Sequence, residues 1–342
     1  MYISKYIVLN SKIKILEREF MKSALITGVT GQDGHHLSRL LLEKEYRVVG
    51  LVNGQRNSRE DSFTQLFPAV EIVRGDLTDF ASLLNVVSEV KPDEIYNLGA
   101  ISFVGMSFEQ PELTANITGL GALRLFEAVR KAGLSGTTRI YQASSSEMFG
   151  KVRETPQNEL TPFYPRSPYG VAKTFAHYMS VNYREAYNMH ISSGILFNHE
   201  GEFRGHEFVT RKITSNIARI KLGKETKFSL GDISPKRDWG YAGDYVEAMW
   251  LMLQQESPED YVIATGTAHS VRDFVEAAIS AAGLSGTIND YIDFDANLTR
   301  PSEVDLLVGD ASKARAKLGW APKVNFSDLV KLMINNDLKI ES

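Results

Sequence analysis

The chain has 342 residues, of which 43% are hydrophobic and 23% are charged. This balance is typical of a globular protein and excludes disordered, collagen-like and coiled-coil classes. A formal charge of -4 provides no broad positive field to hold a nucleic acid, and the absence of cysteine excludes disulfides, thiolate nucleophiles and Cys-based zinc sites. We therefore expect a cytoplasmic protein that has no nucleic-acid partner.

Residues 1–20 are predicted to be an N-terminal extension of the fold. Their lysines and glutamates are scattered, so the segment lacks the basic start, apolar stretch and cleavage site of a signal peptide. No apolar run in the chain reaches the roughly 18 residues of a membrane span. Met21 directly precedes the first strong strand, so an appended strand or helix and a start-site artefact both remain open for this extension. We expect neither export nor a membrane partner.

From Lys22 onward, short β-rich runs alternate with helical ones. SALITG, RVVGLV, VEIVRGD, DEIYNLGA and TRIYQASSS are typical strands, and a long helical stretch runs from Leu113 to Ala132. Strands that are apolar on both faces indicate a parallel sheet between helices, so residues 21–197 are predicted to form an α/β, doubly wound Rossmann domain that binds NAD(P). Residues 198–342 are predicted to form mainly a smaller C-terminal substrate-binding lobe, with segments that return to the sheet.

A glycine-rich turn follows the first predicted strand. The segment ALITGVTGQDGHHLSRLLLEK places Gly28, Gly31 and Gly34 between this strand and a helix. Glycines allow the tight turn, the approach of a pyrophosphate to backbone N–H groups and close packing of helix on strand. Such a turn can be purely structural, but its place at the start of a βαβ series favours dinucleotide binding. The G-x-x-G-x-x-G spacing resembles the short-chain dehydrogenase/reductase superfamily.

The residues after the second strand bear on the choice of cofactor. An acid there binds the adenosine ribose of NAD, whereas an arginine accommodates the 2′-phosphate of NADP. The strand RVVGLV runs into NGQRNSR, which contains no acid but offers Arg56 and Arg59. NADP is therefore favoured and NAD is the alternative, although a solvated loop with incidental arginines gives the same pattern. Asp76 and Leu77 resemble the pair that borders the adenine in this superfamily, and Asp76 is also compatible with a helix N-cap.

Tyr169 and Lys173 lie four residues apart in SPYGVAK. Ser167 as N-cap and Pro168 at the first helical position predict a helix, and the spacing puts both side chains on one face. An ammonium beside the phenol is expected to lower the pKa of Tyr169 from about 10, so that the phenolate acts as a base near neutral pH. Because this spacing also arises by chance, the pair gains weight only from its place after the glycine-rich lobe.

The predicted strand TRIYQASSSEMFG ends in hydroxyls and a carboxylate. At the carboxyl end of a strand in such a sheet, side chains point into the ligand crevice. Ser145 is expected to hold a substrate hydroxyl that Tyr169 deprotonates, and Glu147 to take a proton from carbon, which simple alcohol oxidation does not require. The alternative is a strand end whose serines cap the next turn and whose glutamate is solvated.

A longer series of segments carries a specific resemblance. QASSSEMFG, TPFYPRSPYGVAK, GILFNHE, EFVTRKI, KRDWGYAGDYVEAMW and RPSEVDLLVGDASKARAKLGW are, in this order, similar to the signature segments of the GDP-mannose 4,6-dehydratases. The likeness extends from about Lys22 to Pro322. In the related dTDP-glucose dehydratases an Asp precedes the catalytic Glu, whereas here Ser146 does, as in the GDP-mannose enzymes.

The resemblance implies a lyase that converts a GDP-sugar to the 4-keto-6-deoxy sugar nucleotide. Tyr169, assisted by Lys173 and Ser145, would deprotonate the C4 hydroxyl, and Glu147 would remove the C5 proton before water leaves from C6. The cofactor-binding residues implied are Gly28, Thr30, Gly31, Gln32, Asp33, Gly34, Arg56, Asp76, Leu77, Leu98, Ala100, Tyr169 and Lys173. The substrate-binding residues implied are Ser102, Asn198, Lys212, Arg237, Arg300 and Glu303. No metal-ligand cluster is expected.

Three departures from the family pattern bear on cofactor, assembly and substrate. Asn53 and Gly54 stand where the family usually has paired arginines, so phosphate recognition would shift to Arg56 or Arg59, or NAD would serve. The loop GEFRG replaces SPRRG, which in the family helps to join subunits, so we expect a homodimer rather than a tetramer. Ile101 and Phe103 replace a common Gln and His, which makes GDP-manno-heptose a natural alternative substrate to GDP-mannose.

Two other functions remain open from the sequence. A sugar-nucleotide 4-epimerase or 4-reductase would keep Tyr169 and Lys173 but would need no C5 base. A cofactor-binding regulatory protein of the same fold would need no catalytic set at all. Glu147 is the residue that discriminates the dehydratase from both.

Overall fold

The computed structural model of the chain describes residues 21–295, 298, 304 and 306–342. The predicted N-terminal extension, residues 1–20, lies outside the described residues. The described strands, in chain order, are β1 (Ser23–Thr27), β2 (Arg47–Val52), β3 (Glu71–Arg74), β4 (Glu94–Asn97), β5 (Arg139–Ser145), β6 (Ile191–Leu196), β7 (Asn198–Glu200), β8 (Phe228–Leu230), β9 (Lys236–Tyr241), β10 (Tyr261–Ile263), β11 (Ala268–Ser270), β12 (Ile292–Phe294) and β13 (Leu306–Leu307).

The helices connect these strands. In chain order they are α1 (Gln32–Glu43), α2 (Ser58–Leu66), α3 (Phe80–Val90), α4 (Val104–Glu109), α5 (Pro111–Thr114), α6 (Gly121–Lys131), α7 (Pro168–Tyr187), α8 (Val209–Lys221), α9 (Ala242–Gln254), α10 (Val271–Ala281), α11 (Ile288–Tyr291), α12 (Ser312–Leu318) and α13 (Phe326–Glu341). Among the described residues, no helix combines the length and the apolar composition that crossing a bilayer requires.

Seven strands form one parallel sheet in the order β10-β6-β5-β4-β1-β2-β3. β1 is buried along its whole length, because Ala24 and Ile26 face one layer of helices while Leu25 faces the other. The first layer contains α1, α9 and α12, and the second contains α3, α6 and α7. This sheet confirms the predicted α/β, doubly wound class, and the crossover helices explain why its strands are apolar on both sides.

A smaller sheet and a further helical cluster follow β6. β9 lies between β11 and β13, and β7 pairs with β9 in parallel. Helices α8, α10 and α13 pack together through a core that includes Ile213, Phe274 and Ile334. Because β7 begins two residues after β6 ends, the chain passes directly from the edge of the parallel sheet into this second cluster.

The predicted helix over Leu113 to Ala132 has an interruption. α5 continues into a π-helical turn, Ala115–Leu120, and then into α6. The turn packs on α7, where a Cβ on Gly119 would lie 3.4 Å from the Phe175 ring and 3.5 Å from the Ala172 carbonyl oxygen. The sequence pattern therefore predicted a continuous helix and could not reveal its change of hydrogen-bonding register.

Candidate active site

A crevice of about 960 Å³ opens at the carboxyl ends of β1, β4, β5 and β6. One side consists of the residues that follow these strands and of the start of α7, and we call residues 28–34, 98–104, 143–147 and 169–173 the strand-end wall. Residues 198–210 form another part of the lining, which we call the loop wall. Ligands of doubly wound proteins bind at this edge of the sheet, so the crevice is the candidate active site.

The glycine turn between β1 and α1 forms a backbone cradle in the strand-end wall. Gly28 has a φ of +68°, and a Cβ there would lie 2.9 Å from the Cα of Gly99. A Cβ on Gly34 would overlap the carbonyl group of Val29. Gly31 is the N-cap of α1 and gives it no side-chain cap, so the first-turn N–H groups of the helix are left for an anion.

Gln32 supplies a second reason to expect a polar ligand at this turn. Its Nε2 donates to the backbone oxygen of His199 at 3.0 Å, but its buried Oε1 has no hydrogen-bond partner. A buried acceptor without a donor carries a desolvation cost that a bound ligand can relieve. The cradle and this acceptor fit the pyrophosphate and polar groups of a dinucleotide.

Other predicted cofactor residues divide into two groups. Thr30, Gln32, Asp33, Leu98 and Ala100 line the crevice with the glycines, as does Ser102, which was assigned to the substrate. Arg56, Asp76 and Leu77 do not line it.

Local hydrogen bonds hold Arg56 and Asp76 away from the lining of the crevice. Arg56 donates to Asp61 at 2.5 Å, and Arg59 is the arginine of this loop that lines the crevice. Asp76 accepts from the N–H and hydroxyl of Thr78, both at 2.7 Å, and the N-cap of α3 is Asp79. The prediction of Asp76 as that N-cap is therefore wrong.

The end of β5 and the start of α7 bring the predicted catalytic residues together. Ser167 caps α7 by accepting from the N–H of Gly170 at 3.1 Å, and Pro168 occupies the first turn, as predicted. A Cβ on Gly170 would lie 2.7 Å from the carbonyl oxygen of Glu147, so only glycine lets the two elements approach this closely. Tyr169 consequently lies next to the strand end that carries Glu147.

Ser145 contacts both reactive neighbours. Its Oγ accepts from the N–H of Glu147 at 3.2 Å, and its hydroxyl interacts with the phenol of Tyr169 closely enough to lower the pKa of that phenol. Burial raises the pKa of Tyr169 above its usual value, and the bond with Ser145 and the charge of Arg204 oppose this rise. The carboxylate of Glu147 adds to the rise, because a negative charge disfavours a phenolate beside it.

Lys173 is held by the strand rather than by the phenol oxygen. Its Nζ donates to the carbonyl oxygen of Ala143 at 2.7 Å and lies 5.7 Å from the centre of the Tyr169 ring. Burial lowers the pKa of Lys173 to about 8. The expected net lowering of the Tyr169 pKa by Lys173 is therefore wrong, since burial dominates and Ser145 is the neighbour that most opposes it.

The predicted substrate residues fall in three places. Asn198 and Arg237 line the crevice, and Arg237 donates to the carbonyl oxygen of Val304 at 2.6 Å. Lys212 lies on α8 and does not line the crevice. Arg300 and Glu303 lie outside the described residues. Phe103, one of the departures from the family pattern, lines the crevice and makes an edge-to-face contact with Phe208 at 5.8 Å.

The loop wall folds back onto the chain's own α1. Phe203 stacks on His35 with ring centres 4.5 Å apart and makes an edge contact with His36 at 5.2 Å. Arg204 pairs with the buried Glu200 at 2.8 Å and lies over the Phe208 ring. The departure from the SPRRG pattern thus provides an aromatic anchor that holds this loop beside the cofactor turn.

Sequence reasoning missed His199, whose imidazole forms an ion pair with Asp33. Its segment, NHE, was noted for Asn198 alone. The sequence feature that could have identified His199 is its place directly after β6, because residues that follow parallel strands meet at the edge of the sheet where ligands bind. Within the described part of the chain, no group of three or more acidic or histidine side chains is arranged to hold a metal ion.

Comparisons with known proteins bear on this site. The family model described as GDP-mannose 4,6 dehydratase matches residues 25–333. The chain is 50% identical over 329 residues to GDP-mannose 4,6 dehydratase 1 of Arabidopsis thaliana, covering 93% of this chain and 90% of that protein. It is 48% identical over 340 residues to the GDP-mannose 4,6 dehydratase of Homo sapiens, covering 93% and 91%.

One solved structure illustrates the similarity in fold. The UDP-glucose 4-epimerase of Thermus thermophilus, in complex with NAD, superposes with a TM-score of 0.78 at 27% identity, covering 92% of this chain and 98% of the epimerase. The fold is therefore shared with epimerases, whereas the family match and the identity of about half of all residues are to dehydratases.

Proposed function

Because the chain belongs to the GDP-mannose 4,6-dehydratase family, we propose that it removes water from a GDP-sugar and leaves the 4-keto-6-deoxy sugar nucleotide. The family assignment supports this activity and not the epimerase or reductase alternative. The observation that carries the proposal at the site is the position of Glu147, a carboxylate beside Tyr169 and Ser145 in one crevice. Neither epimerisation nor reduction at C4 needs a base for a carbon-bound proton.

Tyr169 is the proposed base for the C4 hydroxyl. The hydroxyl of Ser145 accepts from the N–H of Glu147 and lies close enough to Tyr169 to lower the pKa of the phenol, so we propose that it holds the sugar oxygen between the two residues. Loss of the hydroxyl proton to Tyr169 and of a hydride from C4 leaves a ketone. Ser145 and the charge of Arg204 favour the phenolate, and we propose that Lys173, whose Nζ is fixed to the end of β5 at 5.7 Å from the ring centre, adds to this effect when it is protonated.

Glu147 is the proposed base for C5. The ketone at C4 makes the C5 proton acidic, and Glu147 accepts that proton. The C6 hydroxyl takes up the proton that Tyr169 received from the C4 hydroxyl and leaves as water. A bound nicotinamide cofactor would supply the acceptor for the C4 hydride and the source of the hydride that reaches C6. Glu147 then gives a proton back to C5, so that the net change is the loss of one water. The glycine turn, Gln32 and the first-turn N–H groups of α1 would hold the cofactor's pyrophosphate.

The test is mass spectrometry of the purified chain incubated with GDP-mannose and with GDP-manno-heptose. Loss of one water from either sugar nucleotide supports the dehydratase, and Glu147→Gln should abolish this loss while leaving transient reduction of the cofactor. The matched control Glu185→Gln changes an exposed glutamate of α7 and should leave turnover unchanged. Unchanged dehydration by Glu147→Gln would remove the proposed C5 base.

For the sugar we propose GDP-mannose, as in the family, with GDP-manno-heptose as the second candidate. The observation that favours the second is Phe103, an apolar aromatic side chain in the crevice at a position where the resemblance implies a polar His. Substitution of Phe103 by His should lower kcat/KM for GDP-manno-heptose relative to kcat/KM for GDP-mannose. A fall in this ratio would support a role of Phe103 in the choice of sugar. An unchanged ratio would exclude it.

For the cofactor we propose NADP in preference to NAD. Arg59 lines the crevice at the start of α2, and no acid follows β2. Arg59→Ala should weaken NADP binding more than NAD binding, because only NADP carries the 2′-phosphate. Arg56→Ala is the matched control, since Arg56 pairs with Asp61 outside the crevice. Equal losses for both dinucleotides in Arg59→Ala would contradict the proposal.

For the assembly we propose a homodimer that buries an apolar face of α7. Val171, Phe175 and Tyr178 are exposed there, and the first two lie beside Leu120 of the π turn in a groove of about 780 Å³. Exposed apolar side chains in such a cluster are typical of an interface. Sedimentation of Val171→Glu should show a monomer, whereas a dimer that survived this charge would place the interface elsewhere.

A further inference from the structure

A buried ion pair joins the cofactor turn to β7. Asp33 lies in the first turn of α1, and its Oδ2 lies 2.9 Å from Nε2 of His199. The other ring nitrogen of His199, Nδ1, lies 2.8 Å from the carbonyl oxygen of Phe197. Both side chains are less than a quarter exposed, so water does little to screen the pair.

The two partners of His199 define its charge. A backbone carbonyl oxygen can only accept, so Nδ1 must carry a hydrogen, and an ionised carboxylate can only accept, so Nε2 must carry the second. Burial raises the pKa of Asp33, but the charge and hydrogen bond of His199 hold it well below its usual value. Burial likewise lowers the pKa of His199, and Asp33 more than reverses this. The pair is therefore an imidazolium and a carboxylate.

Further contacts fix the pair in place. The Nε2 of Gln32 donates both to Oδ1 of Asp33 at 3.1 Å and to the backbone oxygen of His199 at 3.0 Å. The imidazole stacks on the buried Tyr245 ring, with centres 4.8 Å apart and planes inclined by 23°. These contacts hold β7, and with it Asn198, at a set distance from the cofactor turn.

The position of Asp33 creates an electrostatic conflict that the pair resolves. The N-terminus of α1 attracts anions through its free N–H groups and its dipole. An uncompensated carboxylate in the first turn would repel a pyrophosphate that arrives at the same N–H groups. The imidazolium of His199 cancels this charge and still leaves Asp33 able to accept from Gln32.

We propose that His199 is a positioning residue, which neutralises Asp33 so that the first turn of α1 accepts a dinucleotide pyrophosphate, and which ties this turn to the strand that carries Asn198. The inference rests on the proposed function, since it assumes that this turn binds a nicotinamide dinucleotide. It gives a role to His199, which takes no part in the proposed catalytic steps and was not among the predicted binding residues.

The experiment is a double-mutant cycle read by calorimetric titration with NADP and with NAD. His199→Gln keeps an N–H for Asp33 but removes the positive charge, and it should raise both dissociation constants about tenfold, because one unpaired charge now faces the pyrophosphate. Asp33→Asn should weaken binding less. The double variant Asp33→Asn/His199→Gln should bind more tightly than His199→Gln alone, because it contains no uncompensated charge.

One control variant and the binding of the wild-type chain separate the outcomes. His190→Gln removes a histidine remote from the crevice and should leave both constants unchanged. Wild-type binding of neither dinucleotide would overturn the proposed function. With wild-type binding intact, unchanged binding by His199→Gln, or a double variant no tighter than His199→Gln, would overturn this inference alone. If the pair had only a structural role, the variants would have a lower unfolding temperature, and the double variant would bind no more tightly than His199→Gln.

A measurement on the wild-type chain tests the same point if His199→Gln fails to fold. Nitrogen NMR at pH 7 should show one histidine ring with both nitrogens protonated, identified as His199 by its shift in Asp33→Asn. A neutral His199 ring at this pH would overturn the inference, because a neutral imidazole cannot cancel the carboxylate.

Discussion

The two walls of the crevice are built in different ways. In the strand-end wall, neighbours in sequence orient the reactive groups: Ser167 caps the helix that carries Tyr169, and Ser145 accepts from the N–H of Glu147. In the loop wall, the orienting contacts come from far along the chain, as in the stacking of Phe203 on His35. The first wall therefore fixes the chemistry with short-range geometry, whereas the second depends on tertiary packing.

This difference predicts that changes around Ser145, Glu147 and Tyr169 in the strand-end wall act mainly on kcat and that changes in the loop wall act mainly on KM. A wall that holds the reacting groups contributes in the transition state, whereas a wall that only retains the ligand contributes equally in ground and transition states. Three substitutions test the comparison, and a fourth tests the stability of the packing near the loop wall.

The largest effect is expected from Tyr169→Phe. The change removes the proton acceptor for the C4 hydroxyl while keeping the buried ring, so kcat should fall by about 10²–10⁴, the usual worth of a positioned acid or base. Steady-state kinetics with the GDP-sugar, together with the unfolding temperature, will show whether the fold is retained. Full turnover by this variant would end the role of Tyr169 as the base.

Gly170→Ala should have the second-largest effect. Its new Cβ would lie 2.7 Å from the carbonyl oxygen of Glu147, so α7 must move away from the end of β5. Because small misplacements of reacting groups are costly, kcat should fall about tenfold to a hundredfold with a smaller change in KM. Gly136→Ala, where a Cβ meets no atom within 4 Å, is the control. A rise in KM alone would show that the walls do not divide as proposed.

Phe203→Ala should act on the other wall and more weakly. It removes the stacking on His35 and the edge contact with His36, each of which is worth about 1 kcal/mol. KM for the cofactor or the GDP-sugar should rise about three- to tenfold while kcat stays within about twofold. Phe80→Ala, on the partly exposed start of α3, should leave both constants unchanged.

The smallest effect is expected on the free energy of unfolding at low pH, through His36, which contacts the Phe203 anchor of the loop wall. Burial lowers the pKa of His36 to about 4, below its ordinary value of about 6.5, so the unfolded chain binds a proton that the folded chain does not. Stability should therefore fall as the pH drops from about 6.5 towards about 4.

Urea unfolding of His36→Gln across this range should show a shallower slope than the wild type by up to about 1.4 kcal/mol per pH unit. The slope will not vanish, since burial also lowers the pKa of His35. His206→Gln, at an exposed position, is the control. An unchanged slope in His36→Gln would show that His36 takes up its proton as readily in the folded chain.

The limits of sequence reasoning follow the same division. The strand-end residues were predictable because periodicity, glycine spacing and a Ser-Pro cap are local signals, and these bring Ser145, Glu147 and Tyr169 to one edge of the sheet. The net direction of the Tyr169 pKa was not predictable, because it depends on burial. Lys212 was assigned from a motif, but the side of α8 that faces the crevice depends on how that helix packs.

The pair of Asp33 and His199 could not be predicted from the sequence either, because one residue belongs to the strand-end wall and the other to the loop wall. Their separate motifs gave no reason to join them. For Arg56 and Arg59 the difficulty was to choose between them, since the sequence does not show which of two arginines in one loop reaches the cofactor site. The structure separates them, because Arg56 bonds to Asp61 whereas Arg59 lines the crevice.

The π turn at Ala115–Leu120 has a consequence for insertions and deletions in this part of the chain. A π turn contains one residue more than the α-helical turn it replaces. Deletion of one residue within it can restore α-helical hydrogen bonding and leave α5 and α6 in their present orientations. A deletion inside α6 would instead rotate all following side chains by about 100° and turn Leu125 and Phe126 away from their core. The turn therefore marks a point where this helix tolerates a change of length.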